Sequence, residues 1–437
     1  MDLLKSIFKG DKVIWIIFLC LCLISIIEVF SAASTLTYKS GDHWGPITQH
    51  SIILMVGAVV VVFLHNVPYK WFQVFPVFLY PISLVLLAFV TLMGIITGDR
   101  VNGAARWMTF MGLQFQPSEL AKMAVIIAVS FILSKRQDEE GANPKAFKYI
   151  MILTGLVLLL IAPENLSTAM LLFGVVFMMM FIGRVAAKKL LLLAGGLVLI
   201  VALGVGTVVA IPAKTLHNTP GLHRLETWQN RIKGFFDKDE VPAAKFDIDK
   251  DAQIAHARIA IATSHVVGKG PGNSIQRDFL SQAFSDFIFA IVIEEMGLIG
   301  GIFVVFLYLC LLMRAGRIAQ KCERTFPAFL VMGIALLLVS QAILNMMVAV
   351  GLFPVTGQPL PLVSKGGTST LINCAYIGMI LSVSRYTAHL EEQKAHDEIQ
   401  MQIEAGTATS EAQAAAEPTA QILNSDAKFE DEHDSSK

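Results

Sequence analysis

Runs of apolar residues close to twenty long recur down this chain, broken by short polar stretches. A helix of about 20 such residues crosses the hydrocarbon core of a bilayer with every backbone polar group bonded inside the segment. The runs fall near residues 13–34, 50–66, 72–97, 118–134, 147–162, 167–183, 189–212, 286–313, 326–350 and 367–386. The pattern predicts an all-α integral membrane protein, a polytopic bundle of about ten transmembrane helices. An even number of crossings puts both termini on one side. Polar residues gather at 98–117, in a long loop 213–285 between the seventh and eighth runs, at 351–366, and beyond the last run. The chain thus divides into a transmembrane domain, 1–388, and a tail, 389–437.

Composition agrees: 55% of the 437 residues are hydrophobic, 16% are charged, and the mean hydropathy is +0.63, too apolar for an ordinary soluble domain. The net charge is zero, but Lys and Arg are segregated. One set of connections holds Lys5, Lys9, Lys12, Lys70, Lys135, Arg136, Lys145, Lys148, Arg184, Lys188, Lys189, Arg314, Arg317, Lys321, Arg324 and Arg385. The opposite short loops hold Lys39, Arg100, Arg106 and Lys365, a bias of about fourfold that makes the first set cytoplasmic. The three polar loops then face outward. No small-residue cleavage site follows the first run, which reads as a span rather than a cleaved leader. The five cysteines show no metal-ligand spacing and read as packing residues, and no nucleic acid is expected as a partner. The acidic end of the tail, SDAKFEDEHDSSK, cannot bury a core and reads as disordered.

Chemistry-bearing residues concentrate in the outward loops. In GDRVNGAARWMTFMGLQFQPSELAKM, residues 98–123, Pro117 suits the first turn of a helix, and Ser118 and Glu119 favour its N-terminus. Lys122 then lies inside the span, where an ammonium must snorkel or find a partner. Either Glu119 at i, i+3 pairs with it, or it aims into a polar cavity. In GKGPGNSIQRDFLSQAFSDFIFAIVIEEMGLIGG, residues 268–301, the glycines form either a turn or a phosphate cradle. Asp286 opens the next helix, either as a cap or as a counter-ion for Lys122. Glu294 and Glu295 follow about 12 Å deeper, and at least one must face the bundle interior. In GLFPVTGQPLPLVSKGGTSTLINCAYIGM, residues 351–379, the prolines and glycines before the last span forbid regular helix. Ser364, Lys365, Gly366 and Gly367 there either bind an anionic head group or merely connect spans. Gln341 and Asn345, one turn apart in the preceding span, glue helices together or line the same cavity.

These motifs, in this order, resemble the SEDS family (shape, elongation, division and sporulation) of FtsW- and RodA-type proteins. The likeness reaches from the first span to about residue 388 and rests on NGAARW with QPSELAK, on DFIFAIVIEEMGLIG, and on FPVTGQPLPLVSKGG. The VNGA before Arg106 and Trp107 is closer to the division type than to the elongation type. The chain departs from the family at Ser281 to Ser285, where a Pro-Glu-x-His-Thr run is usual, at Lys365 in place of a tyrosine, and at Glu164 to Ala169.

The resemblance implies a peptidoglycan glycosyltransferase of a bacterial inner membrane. It would polymerise lipid II, a disaccharide-peptide on undecaprenyl pyrophosphate, at the outer face during cell division. It implies a class B penicillin-binding protein as transpeptidase partner, alongside other division proteins. By the same likeness Asp286 is the base that deprotonates the acceptor hydroxyl, with Lys122 holding it ionised. Arg106, Arg231, Glu119, Ser364 and Lys365 are expected on the substrate, the cations against pyrophosphate. Glu295, Gln341 and Asn345 are expected to shape the cavity. No cofactor is demanded; a divalent cation could share the phosphate contacts, although no ligand cluster calls for one. The rival readings are a flippase of the same lipid, since buried charge also marks transport paths, and a scaffold that only positions partners.

Overall fold

The computed structural model describes residues 9–32, 45–96, 107–110, 113–138, 141–211, 229, 252–280 and 285–434. Among them, nine helices are long and apolar enough to cross a membrane, and a tenth apolar helix is shorter, at 17 residues. In chain order the membrane helices are α1 (Lys12–Ala32), α2 (Gly45–Asn66), α3 (Phe75–Ile96), α4 (Pro117–Lys135), α5 (Pro144–Ile161), α6 (Leu166–Ile182) and α7 (Ala187–Ala210). After α8 (Ala252–Ala262) come α9 (Ile288–Gln320), α10 (Thr325–Ala349) and α11 (Gly367–Asp434). The apolar runs thus sit on the observed helices, most ends agreeing within a few residues.

Local signals fix several ends. Pro144 and Pro117 occupy first turns, where a missing N–H costs nothing. The Asn143 side chain accepts from Lys145 N at 3.0 Å, and Asn165 caps α6 by accepting from Thr168 N at 3.2 Å. A 3-10 turn, Tyr69–Gln73, joins α2 to α3. Helices α4 and α10 are buried over most of their length and pack on each other; α4 also packs on α3, α5 and α6, and α10 on α6 and α9. Helix α1 packs on α9, whereas α7 is exposed almost everywhere. Many exposed positions on these helices are large and apolar, as hydrocarbon solvent requires.

Three features depart from the sequence expectation. The first polar loop contains an antiparallel pair, β1 (Met108–Phe110) with β2 (Leu113–Phe115), and Gln137–Asp138 pairs with Gly141–Ala142. The long loop contains α8 and a 3-10 turn, Gln276–Asp278, rather than polar coil alone. Finally, α11 continues to Asp434, so the residues read as disordered are helical. Their Ala, Glu and Gln content has high helix propensity without an apolar face to bury, and described side chains from 391 to 402 are exposed. Met1–Arg385 and Tyr386–Lys437 form separate compact units.

Candidate active site

Lys122 is fully buried on α4, and its ammonium lies 2.7 Å from Glu119 Oε1 and 3.0 Å from Gln341 Oε1. The ion pair is the intrahelical one, formed one turn apart at the start of α4, with a neutral amide from α10 completing it. Gln341 in turn donates from Nε2 to Pro359 O at 3.0 Å. One turn on, Asn345 donates from Nδ2 to Asp286 O at 2.9 Å and to Gln358 O at 2.8 Å. Gln358 donates to Thr168 Oγ1 on α6 at 2.7 Å. Two α10 amides therefore bind the non-helical segment 351–366 and the entry to α9 into one polar network, satisfying backbone carbonyls that a membrane interior cannot hydrate.

Asp286 lies one residue before Phe287, the N-cap of α9, and no side chain caps that helix. It is therefore not the cap that the sequence suggested. Ser285 donates from its hydroxyl to Asp286 Oδ1 at 3.0 Å. The Ser285 carbonyl is held in turn by the Ser364 hydroxyl at 2.7 Å, and that hydroxyl accepts from Leu360 N at 2.7 Å. The backbone that carries this half-buried carboxylate is thereby held by Asn345 on one side and Ser364 on the other.

The first loop joins the same end. Thr368, in the first turn of α11, donates to Gln114 O at 3.1 Å and accepts from Gln116 N at 3.4 Å. Gly367 lies so close that a Cβ there would meet Gln114 O at 2.9 Å. QPSELAK and LVSKGGTST, joined by contacts 252 and 254 residues apart in sequence, thus meet at the end of the bundle that holds Asp286. Lys365 is half-buried beside them, and burial lowers its pKa from the ordinary lysine value. Arg106 and Arg231 lie outside the described residues, as do Ser281 to Phe284.

The glycine-rich turn serves a different purpose from a phosphate cradle. Its amides wrap the fully buried Glu294 and Glu295. Gly272 N and Ser274 N donate to Glu295 at 2.9 and 3.2 Å, while Ile275 N and Gln276 N donate to Glu294 at 3.2 and 3.3 Å. Lys269 pairs with Glu294 at 2.6 Å, Ser274 bonds Glu294, Ser31 of α1 bonds Glu295, and Arg277 stands 3.9 Å from Glu295. Gly268 and Gly297 make the wrap feasible: a Cβ on Gly297 would come within 2.2 Å of Val266 O. With φ 72° and ψ −175°, Gly297 breaks α9 there. Carbonyls on the N-terminal side of the break then accept from the loop, Glu294 O from Lys269 N at 3.0 Å and Glu295 O from Gly270 N at 2.8 Å. Sequence reasoning missed Lys269, Ser274, Arg277 and Ser31 as partners, although two basic residues beside a buried acidic pair were the available signal.

The profile of the cell cycle protein family of FtsW, RodA and SpoVE matches residues 11–389. The chain belongs to this family. Among its relatives, the probable peptidoglycan glycosyltransferase FtsW of Trichlorobacter lovleyi is 32% identical over 377 residues, covering 86% of this chain and 93% of that protein. The protein of the same name from Halomonas elongata is 31% identical, covering 84% of this chain and 88% of that protein. A solved peptidoglycan synthase complex, described as coordinating polymerization and crosslinking, contains a chain that matches with a TM-score of 0.67 at 24% identity, covering 87% of this chain and 99% of that one. The rod shape determining protein RodA of Thermus thermophilus matches with a TM-score of 0.58 at 23% identity, covering 86% and 97%. These last two likenesses concern the fold. The chain is accordingly a bacterial multi-pass membrane protein of the SEDS family.

Proposed function

We propose that this chain is a peptidoglycan glycosyltransferase of the FtsW type, polymerising lipid II into glycan strands at the outer face of the cytoplasmic membrane during division. Its relatives carry that name over most of their length, and the Lys and Arg bias turns the Asp286 end outward. Both termini are then cytoplasmic. The observation that supports the reading is that the three motif segments are joined: Gln116 to Thr368, Ser364 to the carbonyl of Ser285 beside Asp286, and Asn345 of α10 to Asp286 itself.

Polymerisation joins the acceptor sugar's hydroxyl oxygen to the donor's anomeric carbon as the bond from that carbon to the pyrophosphate oxygen breaks. Asp286 takes the hydroxyl proton, and cations on the rim steady the departing pyrophosphate. Lys365 is one such cation, with Arg106 and Arg231 assigned beside it from sequence. Lys122 already binds Glu119 and Gln341, so it orients Asp286 through α10, where Gln341 and Asn345 are neighbours. A class B penicillin-binding protein supplies the crosslinking activity, and other division proteins assemble with the pair.

The test is lipid II polymerisation by purified protein, alone and with its candidate transpeptidase, beside a lipid II flipping assay on the same preparation. Polymer from wild type and none from Asp286→Asn is the expected result. Flipping without polymer under every condition overturns the reading.

A further inference from the structure

The opposite, basic end of the bundle carries a feature that glycan synthesis does not use. The second half of α2 and the 3-10 turn after it form an open apolar groove of about 720 Å³, lined by Val59, Phe63, Val67, Pro68 and Trp71, with Asn66 as its polar lining residue. The turn has a built orientation. Tyr69 and Phe72 are 3% and 0% exposed and anchor it in the core, which leaves Trp71 63% exposed on the groove wall with exposed Lys70 beside it.

Cations lie beside the groove's polar lining residue, Asn66. Arg385 donates from Nη1 to Asn66 Oδ1 at 3.0 Å, and both Arg385 and Lys9 lie within electrostatic range of His65. The nearby acid Asp11 is already neutralised by Arg314 at 2.7 Å. An apolar trough with Arg385 at its polar residue and Lys70 beside its tryptophan matches an amphiphile with an anionic head and a hydrocarbon tail. A partner helix would instead ask for packing positions along its whole length. Tryptophan at the wall and basic residues at the mouth are what the headgroup layer selects.

We propose that this groove seats one acyl chain of an anionic phospholipid, its phosphate held by Arg385 and Lys70. Two basic residues at a membrane surface favour an anionic over a zwitterionic lipid by roughly tenfold or more.

The experiment delipidates the full-length protein in detergent, adds phosphatidylglycerol or phosphatidylcholine, and counts retained lipid by native mass spectrometry, with inorganic phosphate as a competitor. Wild type retains phosphatidylglycerol about tenfold better than phosphatidylcholine, and millimolar inorganic phosphate displaces little of it. Lys70→Glu, at an exposed site, and Val59→Trp, which fills the groove, each lower that retention several-fold while the unfolding midpoint in lipid-free detergent stays put. Equal retention of the two lipids overturns the proposal, as does unchanged retention by both variants. Photo-crosslinking from position 71 to a polypeptide rather than to lipid also overturns it.

Discussion

Asn345 reaches from α10 to the backbone carbonyl of Asp286 at 2.9 Å, so the helix that receives the Lys122 ammonium also sets where the proposed base stands. The same amide nitrogen donates to Gln358 O at 2.8 Å, making Asn345 a double staple between α9's entry and the segment before α11. Asn345→Leu leaves two buried acceptors without a donor, a cost of about 1–3 kcal/mol each. The expected outcome is a fall in polymerisation rate constant of at least tenfold at saturating lipid II, with a lowered unfolding midpoint. Asn345→Gln, with a displaced amide, recovers stability before it recovers rate. Equal kcat in wild type and Asn345→Leu would detach this contact from catalysis.

Asp286→Asn keeps shape and hydrogen bonding but removes the base. General base catalysis contributes roughly 10²–10⁴-fold, which is the loss expected in polymerisation rate. The unfolding midpoint should hardly move, because asparagine keeps the backbone carbonyl that Asn345 holds and an oxygen that accepts from the Ser285 hydroxyl. Radiolabelled lipid II turnover and a thermal melt on one preparation check both halves.

Much of this was legible in the sequence. Apolar run length alone located the membrane helices, because the bilayer leaves a helix few alternatives. The anomalous Lys122 and the paired Glu294 and Glu295 also announced themselves, since buried charge must be answered by something. What answered it was not legible. The Glu119 pair was one of several readings for Lys122, beside snorkelling, a polar cavity and Asp286, and the outcome depended on Gln341 taking a second donor from another helix. The glycine-rich turn read as either a plain turn or an anion cradle, and it is a cradle, but the anions are the chain's own carboxylates, 23 and 19 residues away. Spacing reports which local conformation a turn needs and says nothing of what it closes upon.

The Lys122 to Glu119 pair is almost fully buried, with 0% and 2% of the side chains exposed. Removing one partner of such a pair strands a charge, at about 3–5 kcal/mol. Lys122→Met should therefore unfold the protein at lower temperature, and Lys122→Met with Glu119→Gln should regain most of that stability. Activity should not return in the double variant, since the Gln341 contact to Lys122 stays lost. Restored polymerisation together with restored melting would reduce the pair to a packing element.

Gly297 and Gly268 cross backbone to backbone where α9 breaks. Gly297→Ala meets both a φ of 72° and a Cβ placed 2.2 Å from Val266 O, with no flexible side chain to move aside. Strain of about 1–3 kcal/mol is expected from the backbone conformation alone. The loop should come away from Glu294 and Glu295, read as faster proteolysis between residues 263 and 280. An unaltered cleavage pattern with a normal melt would show that α9 can close its break without the loop.

Lys365 gives a pH dependence with a definite sign. Burial lowers its folded-state pKa below the ordinary lysine value, about 10.4. As pH rises through that lowered value the ammonium is lost, and with it a cation for pyrophosphate, so KM for lipid II should climb while kcat moves less. Stability runs the other way: between the lowered folded value and the unfolded one, the unfolded chain binds more protons, so stability attributable to this group rises with pH. Lys365→Arg keeps its charge throughout and should flatten the KM profile on the alkaline side. A Lys365→Met enzyme with the wild-type KM at neutral pH would remove this side chain from the pyrophosphate site.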